Sequence, residues 1–96
     1  MNGPSPFRVL TTPAFERDFR KACKGEPRLM EAFDGMLAVL REDPHNRSGR
    51  RDIKKLAGLQ PGEGQWRLRW HNYRLRYDIF DRDVVLHSFR HRREAY

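Results

Sequence analysis

The sequence contains one cysteine, no long hydrophobic run and no repeated or low-complexity tract. A single thiol, Cys23, cannot form a disulfide within the chain, so nothing indicates an oxidising compartment. No stretch approaches the roughly 18 apolar residues that a transmembrane helix needs. Residues 1–6 lack the apolar centre of a secretory signal. We therefore expect a cytoplasmic protein with one small hydrophobic core.

The length of 96 residues suits one domain, because single cores rarely divide below about 100 to 150 residues. We predict a flexible N-terminal tail over residues 1–6 and one domain over residues 7–96.

Acidic residues are in the minority. The chain has 20 Lys and Arg against 13 Asp and Glu, a formal net charge of +7. Such an excess favours polyanionic partners, namely nucleic acid, an acidic protein or an anionic membrane. Most of the cations are Arg, whose planar fork binds phosphate through two parallel hydrogen bonds. An arginine-rich genome would produce the same bias. Whether the cations bind a polyanionic partner therefore has to be judged from their arrangement in the sequence.

The first half of the chain predicts a strand and two helices. Residues 7–11 read as a short strand, and Thr12-Pro13 is a typical helix start. This helix runs to about Lys24, and a second helix runs from Pro27 to the Asp43-Pro44 stop. Apolar residues recur at helical spacing on both helices, which makes each amphipathic. Residues 44–51 are predicted to be a polar surface loop.

The last third of the chain alternates apolar and charged residues, which is typical of half-buried strands. One strand covers residues 66–70, a turn follows at 71–72, and the next strand covers residues 73–80. A third strand is predicted at 84–89 with a basic tail from 90 to 96, and residues 53–56 could add an edge segment.

These elements predict an α+β fold of the order βααβββ, in which two helices cover one face of a small, mostly antiparallel twisted sheet. The buried face should present Trp66, Leu68, Tyr73, Leu75 and Tyr77. The opposite face then presents Arg67, Arg69, Arg74 and Arg76. Like charges side by side on a sheet repel, so this cluster indicates a phosphate-binding surface, although a merely solvated outer face is the alternative.

Several segments together resemble the RelE/ParE toxin superfamily. They are IKKLAG at 53–58, WRLR at 66–69 and YRLRYDI at 73–79. The ending HRREAY at 91–96 resembles the tail of the RelE branch, and TTPAFERD at 11–18 is similar to its first strand–helix junction. The match covers nearly the whole chain in order, so it is specific as a set.

The resemblance implies the toxin of a type II toxin–antitoxin system. Such RelE-like toxins are endoribonucleases that cut mRNA, typically in the ribosomal A site, without a metal or other cofactor. The ribose 2′-OH attacks the adjacent phosphate and leaves a 2′,3′-cyclic phosphate. This reaction needs a base, cations for the charged transition state and an acid for the leaving oxygen.

The catalytic positions that the resemblance implies fall on Arg67, Arg69, Arg74, Arg92 and Tyr96. The best-known members have Lys where Arg67 and Arg69 stand, and Arg effectively cannot give up its proton. We therefore assign the strand arginines to phosphate binding and charge stabilisation. Tyr96 would orient or stack on a base, or assist proton transfer.

Proton transfer is assigned to His91, since histidine changes its charge near neutral pH and some branches of the family use a His near this position. Lys54, Lys55 and Arg76 are expected to add RNA contacts, although two lysines on a sheet edge also protect that edge.

Two other functions stay open. A ParE-like toxin would inhibit DNA gyrase by binding it, without cleavage; a non-catalytic module would only bind RNA. The set Arg74, His91, Arg92 and Tyr96, which the ParE branch generally does not retain together, favours cleavage.

The expected partners are mRNA, the ribosome and a RelB-like antitoxin whose disordered segment folds on binding. No membrane contact and no direct DNA contact are expected.

Overall fold

The computed structural model describes residues 7–93, which form two helices and five strands. The elements in order are β1 (Arg8–Thr11), α1 (Pro13–Gly25), α2 (Leu29–Glu42), β2 (Ile53–Lys55), β3 (Trp66–Trp70), β4 (Tyr73–Phe80) and β5 (Asp83–His91). The predicted α+β order is confirmed, with the edge segment present as a fifth strand, β2. The predicted tail at 1–6 and the residue Tyr96 lie outside the described residues. Neither helix in this part of the chain is long and apolar enough to cross a membrane.

The five strands form one sheet in the order β1-β5-β4-β3-β2. Three of the four pairings are antiparallel, and β1 lies parallel to β5. A parallel neighbour needs a crossover connection, and α1 and α2 belong to it. Both helices therefore lie on the same side of the sheet.

The core confirms which face of the sheet the helices cover. Phe15 of α1 and Met36 of α2 are buried against Leu75 and Tyr77 of β4. Leu68, Leu86 and Phe89 complete this layer, while Trp66 and Trp70 are half-buried at its margin. Burying each large apolar side chain stabilises the fold by about 1.5–3 kcal/mol.

The ends of the helices follow from hydrogen bonds. The Thr12 hydroxyl accepts the N–H of Phe15 at 3.1 Å and donates to the Leu86 carbonyl at 2.9 Å, so one side chain both caps α1 and ties it to β5. Helix α2 begins at Leu29, later than the predicted Pro27. The preceding residues form a turn instead, because the N–H of Leu29 bonds back to the Glu26 carbonyl at 3.1 Å.

The predicted polar loop after α2 is confirmed, and side-chain hydrogen bonds hold it together. The Asp43 carboxylate accepts the backbone N–H of Arg47 and the hydroxyl of Ser48, and the Ser48 contact is the main reason why the pKa of Asp43 is lowered. The Asn46 amide donates to the carbonyls of Arg51 and Ile53 at 2.9 and 3.1 Å. These bonds hold the loop in the conformation in which β2 pairs with β3 at the edge of the sheet.

Residues 56–65, which connect β2 to β3, fold over the outer face of β4. The carboxylate of Asp78 is buried there and accepts the backbone N–H groups of Gly64 and Gln65 at 3.0–3.1 Å. The Arg76 guanidinium donates to the carbonyls of Glu63 and Gly64. Gly64 has a φ of +79°, and a Cβ there would lie 3.1 Å from the Arg76 Cβ, so glycine suits this close approach.

A β-bulge changes the end of β5. Arg76 pairs with Ser88 and Tyr77 pairs with Leu86, so His87 is an extra residue in the ladder. Because of this extra residue, Leu86 and Phe89 both point into the core although they are three residues apart, instead of the usual two along a strand. The strand also continues to His91, so the predicted start of the tail at Arg90 was wrong: Arg90 pairs with Arg74 inside the sheet.

Replacing Asp78 by Asn should loosen the 56–65 loop. The variant loses a charged acceptor and turns an amide NH2 toward buried N–H donors, so the free energy of unfolding should fall by about 1–3 kcal/mol. Urea denaturation of Asp78→Asn measures the change, with Asp34→Asn on the exposed side of α2 as the matched control. Equal stability of the two variants would contradict the role given to Asp78.

The Tyr77 hydroxyl donates to the Pro44 carbonyl at 2.7 Å inside the core, and burial raises the pKa of this phenol above its ordinary value. A pKa raised in the folded state stabilises the fold below the unfolded-state pKa of about 10 and loses that contribution as pH rises. The unfolding free energy should therefore fall above about pH 10, by at most about 1.4 kcal/mol per pH unit for this group.

Denaturation of wild type and Tyr77→Phe between neutral and alkaline pH tests this expectation. The variant should be less stable at neutral pH, because the Pro44 carbonyl loses its donor, and it should lose less stability in alkali. Parallel pH curves for the two proteins would contradict the assignment.

Candidate active site

The cations of the sheet form two rows across its outer face. Lys54, Arg67 and Arg76 are paired across β2, β3 and β4 in one row, and Arg69, Arg74 and Arg90 are paired across β3, β4 and β5 in the other. The residues between them, such as Leu68 and Leu75, point into the core, so all six cations project to the opposite side. We call this surface the arginine face.

The acids that accompany the arginine face lie at its margins. The Asp52 carboxylate bonds Arg69 Nε at 2.8 Å beside β3, and the Asp18 carboxylate of α1 lies 3.8 Å from Arg90 Nε. Asp78 belongs to the same face by position but is occupied under the 56–65 loop. Directly paired like charges cost a sheet some tenths of a kcal/mol each, so packing alone does not account for these rows.

Three of the expected site residues meet at a depression of about 240 Å³. Arg69 comes from β3, Arg74 from β4 and Arg92 from the segment after β5. The Arg92 N–H donates to the Asn72 carbonyl at 2.7 Å, which attaches this segment to the β3–β4 turn. We call the depression the arginine pocket; its lining is Arg69, His71, Asn72, Tyr73, Arg74 and Arg92.

His91 lies in a different depression, of about 370 Å³, between α1 and the end of β5. This α1–β5 groove adjoins the arginine pocket, because Tyr73 lines both. The His91 ring meets Tyr73 edge-on at 5.2 Å, and its Nδ1 accepts the N–H of Arg93 at 3.2 Å. The groove is lined by Asp18, Lys21, Ala22, Gly25, Tyr73, Phe89, Arg90 and His91.

The other expected residues are spread more widely. Arg67 lies in the neighbouring row, where its Nε is buried and makes no hydrogen bond to any residue from 7 to 93. Arg76 holds the 56–65 loop through its guanidinium. Lys54 is on the arginine face, whereas Lys55 is on the other side of β2 with its Nζ 5.7 Å from the Trp66 ring. The RNA contacts expected of these four residues stay predictions.

The four histidines have distinct surroundings. His45 packs between Phe7 and Trp66, and burial lowers its pKa. His87 is the bulge residue close to Gly64, and His91 lies in the α1–β5 groove. His71 alone among the four lines the arginine pocket. Sequence reasoning placed His71 in the hairpin turn but gave it no role, and it left Arg90 in the tail because the bulge has no clear signal in the sequence.

The arrangement suits a phosphate and its charge. Three arginines from separate segments line one pocket, and a guanidinium group can donate two parallel hydrogen bonds to phosphate oxygens. Within residues 7–93, no three His, Cys, Asp or Glu side chains lie close enough together to hold a metal ion.

Comparison with protein families gives a match over residues 9–96 to the ParE toxin of the type II toxin–antitoxin system parDE. The chain belongs to this family. Its kinship with the RelE/ParE superfamily, expected from the sequence, is therefore confirmed. No curated protein matches the chain.

Two solved structures show how the family relates to RelE. The toxin–antitoxin complex RelBE2 from Mycobacterium tuberculosis contains a chain that is 26% identical, with a TM-score of 0.58, over 90% of this chain and 98% of that one. The RelB–RelE antitoxin–toxin complex from Methanococcus jannaschii gives 22% identity and a TM-score of 0.53, over 92% and 95% of the two chains. At this identity the second likeness concerns the fold alone. This ParE-family chain thus has the fold of chains found in RelBE complexes.

Neutralising Arg67 should not weaken the fold, because Arg67 stands between the cations Lys54 and Arg76. We expect Arg67→Gln to keep the unfolding free energy or raise it by some tenths of a kcal/mol. The matched control is Arg8→Gln on β1, which removes the ion pair with Asp83 at 3.0 Å and should lower stability. Urea denaturation at low salt compares them, and a larger loss for Arg67→Gln would show that packing requires that guanidinium.

Proposed function

We propose that this ParE-family toxin is an endoribonuclease that cleaves mRNA, most simply at the ribosomal A site. The observation that supports this best is the convergence of Arg69, Arg74 and Arg92 on one pocket beside two histidines. Three like charges around one small depression suit a phosphate group placed between them. Phosphoryl chemistry needs such charges, because negative charge grows on the phosphate as it reacts.

In this proposal the three arginines have complementary tasks. Arg69 is held by Asp52 and positions the scissile phosphate. Arg74, in the middle of its row, stabilises the charge that develops in the transition state. Arg92 closes the pocket from the segment that Asn72 anchors. Arg67 and Lys54, in the next row, extend the phosphate path along the arginine face.

The 2′-OH of the ribose attacks the adjacent phosphorus, and the bond to the 5′ oxygen of the next nucleotide breaks. The products carry a 2′,3′-cyclic phosphate and a 5′-OH, and no metal takes part. His91 stays proposed as a participant from the adjoining groove, and Tyr96, outside the described residues, as a group that orients or stacks on a base.

A cognate antitoxin is the proposed protein partner, in keeping with the toxin–antitoxin complexes in which the structural relatives occur. An acidic, initially disordered antitoxin segment would associate rapidly with the arginine face. It would block cleavage either by covering that face or by pulling the segment of Arg92 away from Asn72. We propose that toxin and antitoxin meet in the bacterial cytoplasm, where mRNA is translated.

The match to the ParE toxin family keeps the alternative stated from the sequence resemblance, namely inhibition of DNA gyrase by binding without RNA cleavage. Fold does not decide between the two, since a shared scaffold can hold different functions. The arginine pocket favours cleavage, and the test therefore also measures inhibition of gyrase.

Cleavage should depend on Arg74. In a cell-free translation reaction with a defined mRNA, wild type should produce new 5′ ends at in-frame codon positions, mapped by primer extension. Arg74→Ala should slow cutting by about 10²–10³-fold, the usual loss for a removed transition-state donor. The matched control is Arg82→Ala in the β4–β5 turn, at the far end of β4, and it should cut like wild type.

A supercoiling assay with purified gyrase runs beside the cleavage assay. Intact mRNA together with inhibited supercoiling would replace the ribonuclease with the gyrase inhibitor. Equal cutting by Arg74→Ala and Arg82→Ala would remove the arginine pocket from the mechanism.

A further inference from the structure

We propose that His71, in the β3–β4 turn, is the general base that takes the proton from the attacking 2′-OH. This inference rests on the proposed ribonuclease function and deepens it. It assigns a role that neither the family resemblance nor the expected residue set contained.

The position of His71 is the first argument. It lines the arginine pocket together with Arg69, Arg74 and Arg92, the groups proposed to hold the phosphate. The β3–β4 turn is only two residues long, because Trp70 pairs with Tyr73, so His71 stands immediately beside both arginine-bearing strands. A base must lie within hydrogen-bond reach of the hydroxyl next to the bound phosphate. His71 lines the pocket in which we propose that the phosphate binds.

The hydrogen bond of His91 is the second argument. Its Nδ1 accepts the N–H of Arg93 at 3.2 Å, so that nitrogen carries no proton. The remaining proton of the neutral ring is then on Nε2, which can donate but cannot accept. The Nδ1 lone pair of His91 is therefore already engaged by the Arg93 N–H, and the ring lines the α1–β5 groove and not the arginine pocket, so His91 is the less suitable of the two histidines to accept a proton there.

His71 has the opposite character. Within the described part of the chain, neither of its ring nitrogens forms a hydrogen bond, so one nitrogen of the neutral ring can accept a proton. Its ring rests edge-on against Trp70 at 6.1 Å, which limits where it can turn. The charged groups around it are Arg69 from β3, Arg74 from β4 and Arg92 after β5, and the nearest acid of the row, Asp52, is bonded to Arg69.

The backbone at His71 is also unusual. Its φ is +53°, in the left-handed region that glycine and asparagine adopt most easily. The primed turns that close two-residue hairpins need a positive φ at their first residue, so the turn itself holds His71 in this conformation. The first residue of the β4–β5 turn, Asp81, has a φ of +55°, so the chain contains a second turn residue of matched backbone conformation, outside the arginine pocket.

The step balances as follows. The 2′-OH gives its proton to the free nitrogen of His71 while its oxygen forms a bond to phosphorus. The bond from phosphorus to the 5′ oxygen breaks, and that oxygen takes up a proton from water. The guanidinium groups of Arg69, Arg74 and Arg92 compensate the negative charge on the phosphate throughout and exchange no proton.

His71→Asn is the decisive variant, because Asn tolerates the positive φ and removes the imidazole. The cell-free translation assay measures single-turnover cleavage by wild type, His71→Asn, His91→Asn and the matched turn variant Asp81→Asn. Binding to an RNA with a 2′-O-methyl group at the cut site is measured in parallel, together with thermal unfolding. The rate is followed between about pH 6 and pH 8, where an imidazole base changes its charge.

We expect His71→Asn to cut about 10²–10⁴-fold more slowly, the range for a lost acid or base. It should bind the methylated RNA as wild type does and lose the rise of rate with pH. Asp81→Asn should match wild type in all three measurements. Added imidazole should restore part of the rate of His71→Asn and of no other variant.

Wild-type rates and an unchanged pH profile in His71→Asn would overturn this inference while leaving the ribonuclease intact. Loss of the pH-dependent rise in His91→Asn instead would overturn it too, by moving the base to the groove. Absence of cleavage by wild type would overturn the proposed function, and the role of His71 with it.

Discussion

The register of the β3–β4 hairpin is the constraint on which the rest of the molecule depends. A two-residue turn sets Trp70 opposite Tyr73, and from that pair Leu68 meets Leu75 and Arg69 meets Arg74. A slip by one residue would exchange the faces of one strand. Burial of each apolar side chain is worth about 1.5–3 kcal/mol, against some tenths for each like-charge pair, so the core decides the register and the arginines are carried to the other side.

The outer face is then divided by contacts made far from the hairpin. The 56–65 loop, held by Asp78 and Arg76, covers one end of β4, and Arg74 at the other end lines the arginine pocket. The bulge at His87 turns Arg90 outward, and the hydrogen bond from Arg92 to Asn72 brings the chain end back to the hairpin turn. Positive charge is thereby concentrated where the pocket lies. Three arginines line that pocket, and we propose that they bind one phosphate group.

Membership of the ParE toxin family and likeness to a chain of a RelBE complex describe one scaffold, and a shared scaffold can hold different functions. The functional argument therefore depends on side-chain chemistry. Arginines supply charge but no proton transfer, so a ribonuclease built on them needs another group for that task. His71 lines the pocket and His91 the adjoining groove, where His91 Nδ1 accepts the Arg93 N–H, and on this difference we propose different tasks for them.

Periodicity alone determined much of this protein: the helical stripes that include Phe15 and Leu40, the alternation that buries Leu68 and Leu75, and the face on which Arg69 and Arg74 meet. These are local properties of the chain, because the direction of each side chain in a helix or strand follows from its position in the repeat. Tertiary structure alone decided that Asp78 lies under a loop, that Arg90 joins the sheet, that His91 faces the α1–β5 groove and that His71 faces the arginine pocket. Each of these depends on a bulge, a turn or a hydrogen bond between distant residues, and no sequence period records such contacts.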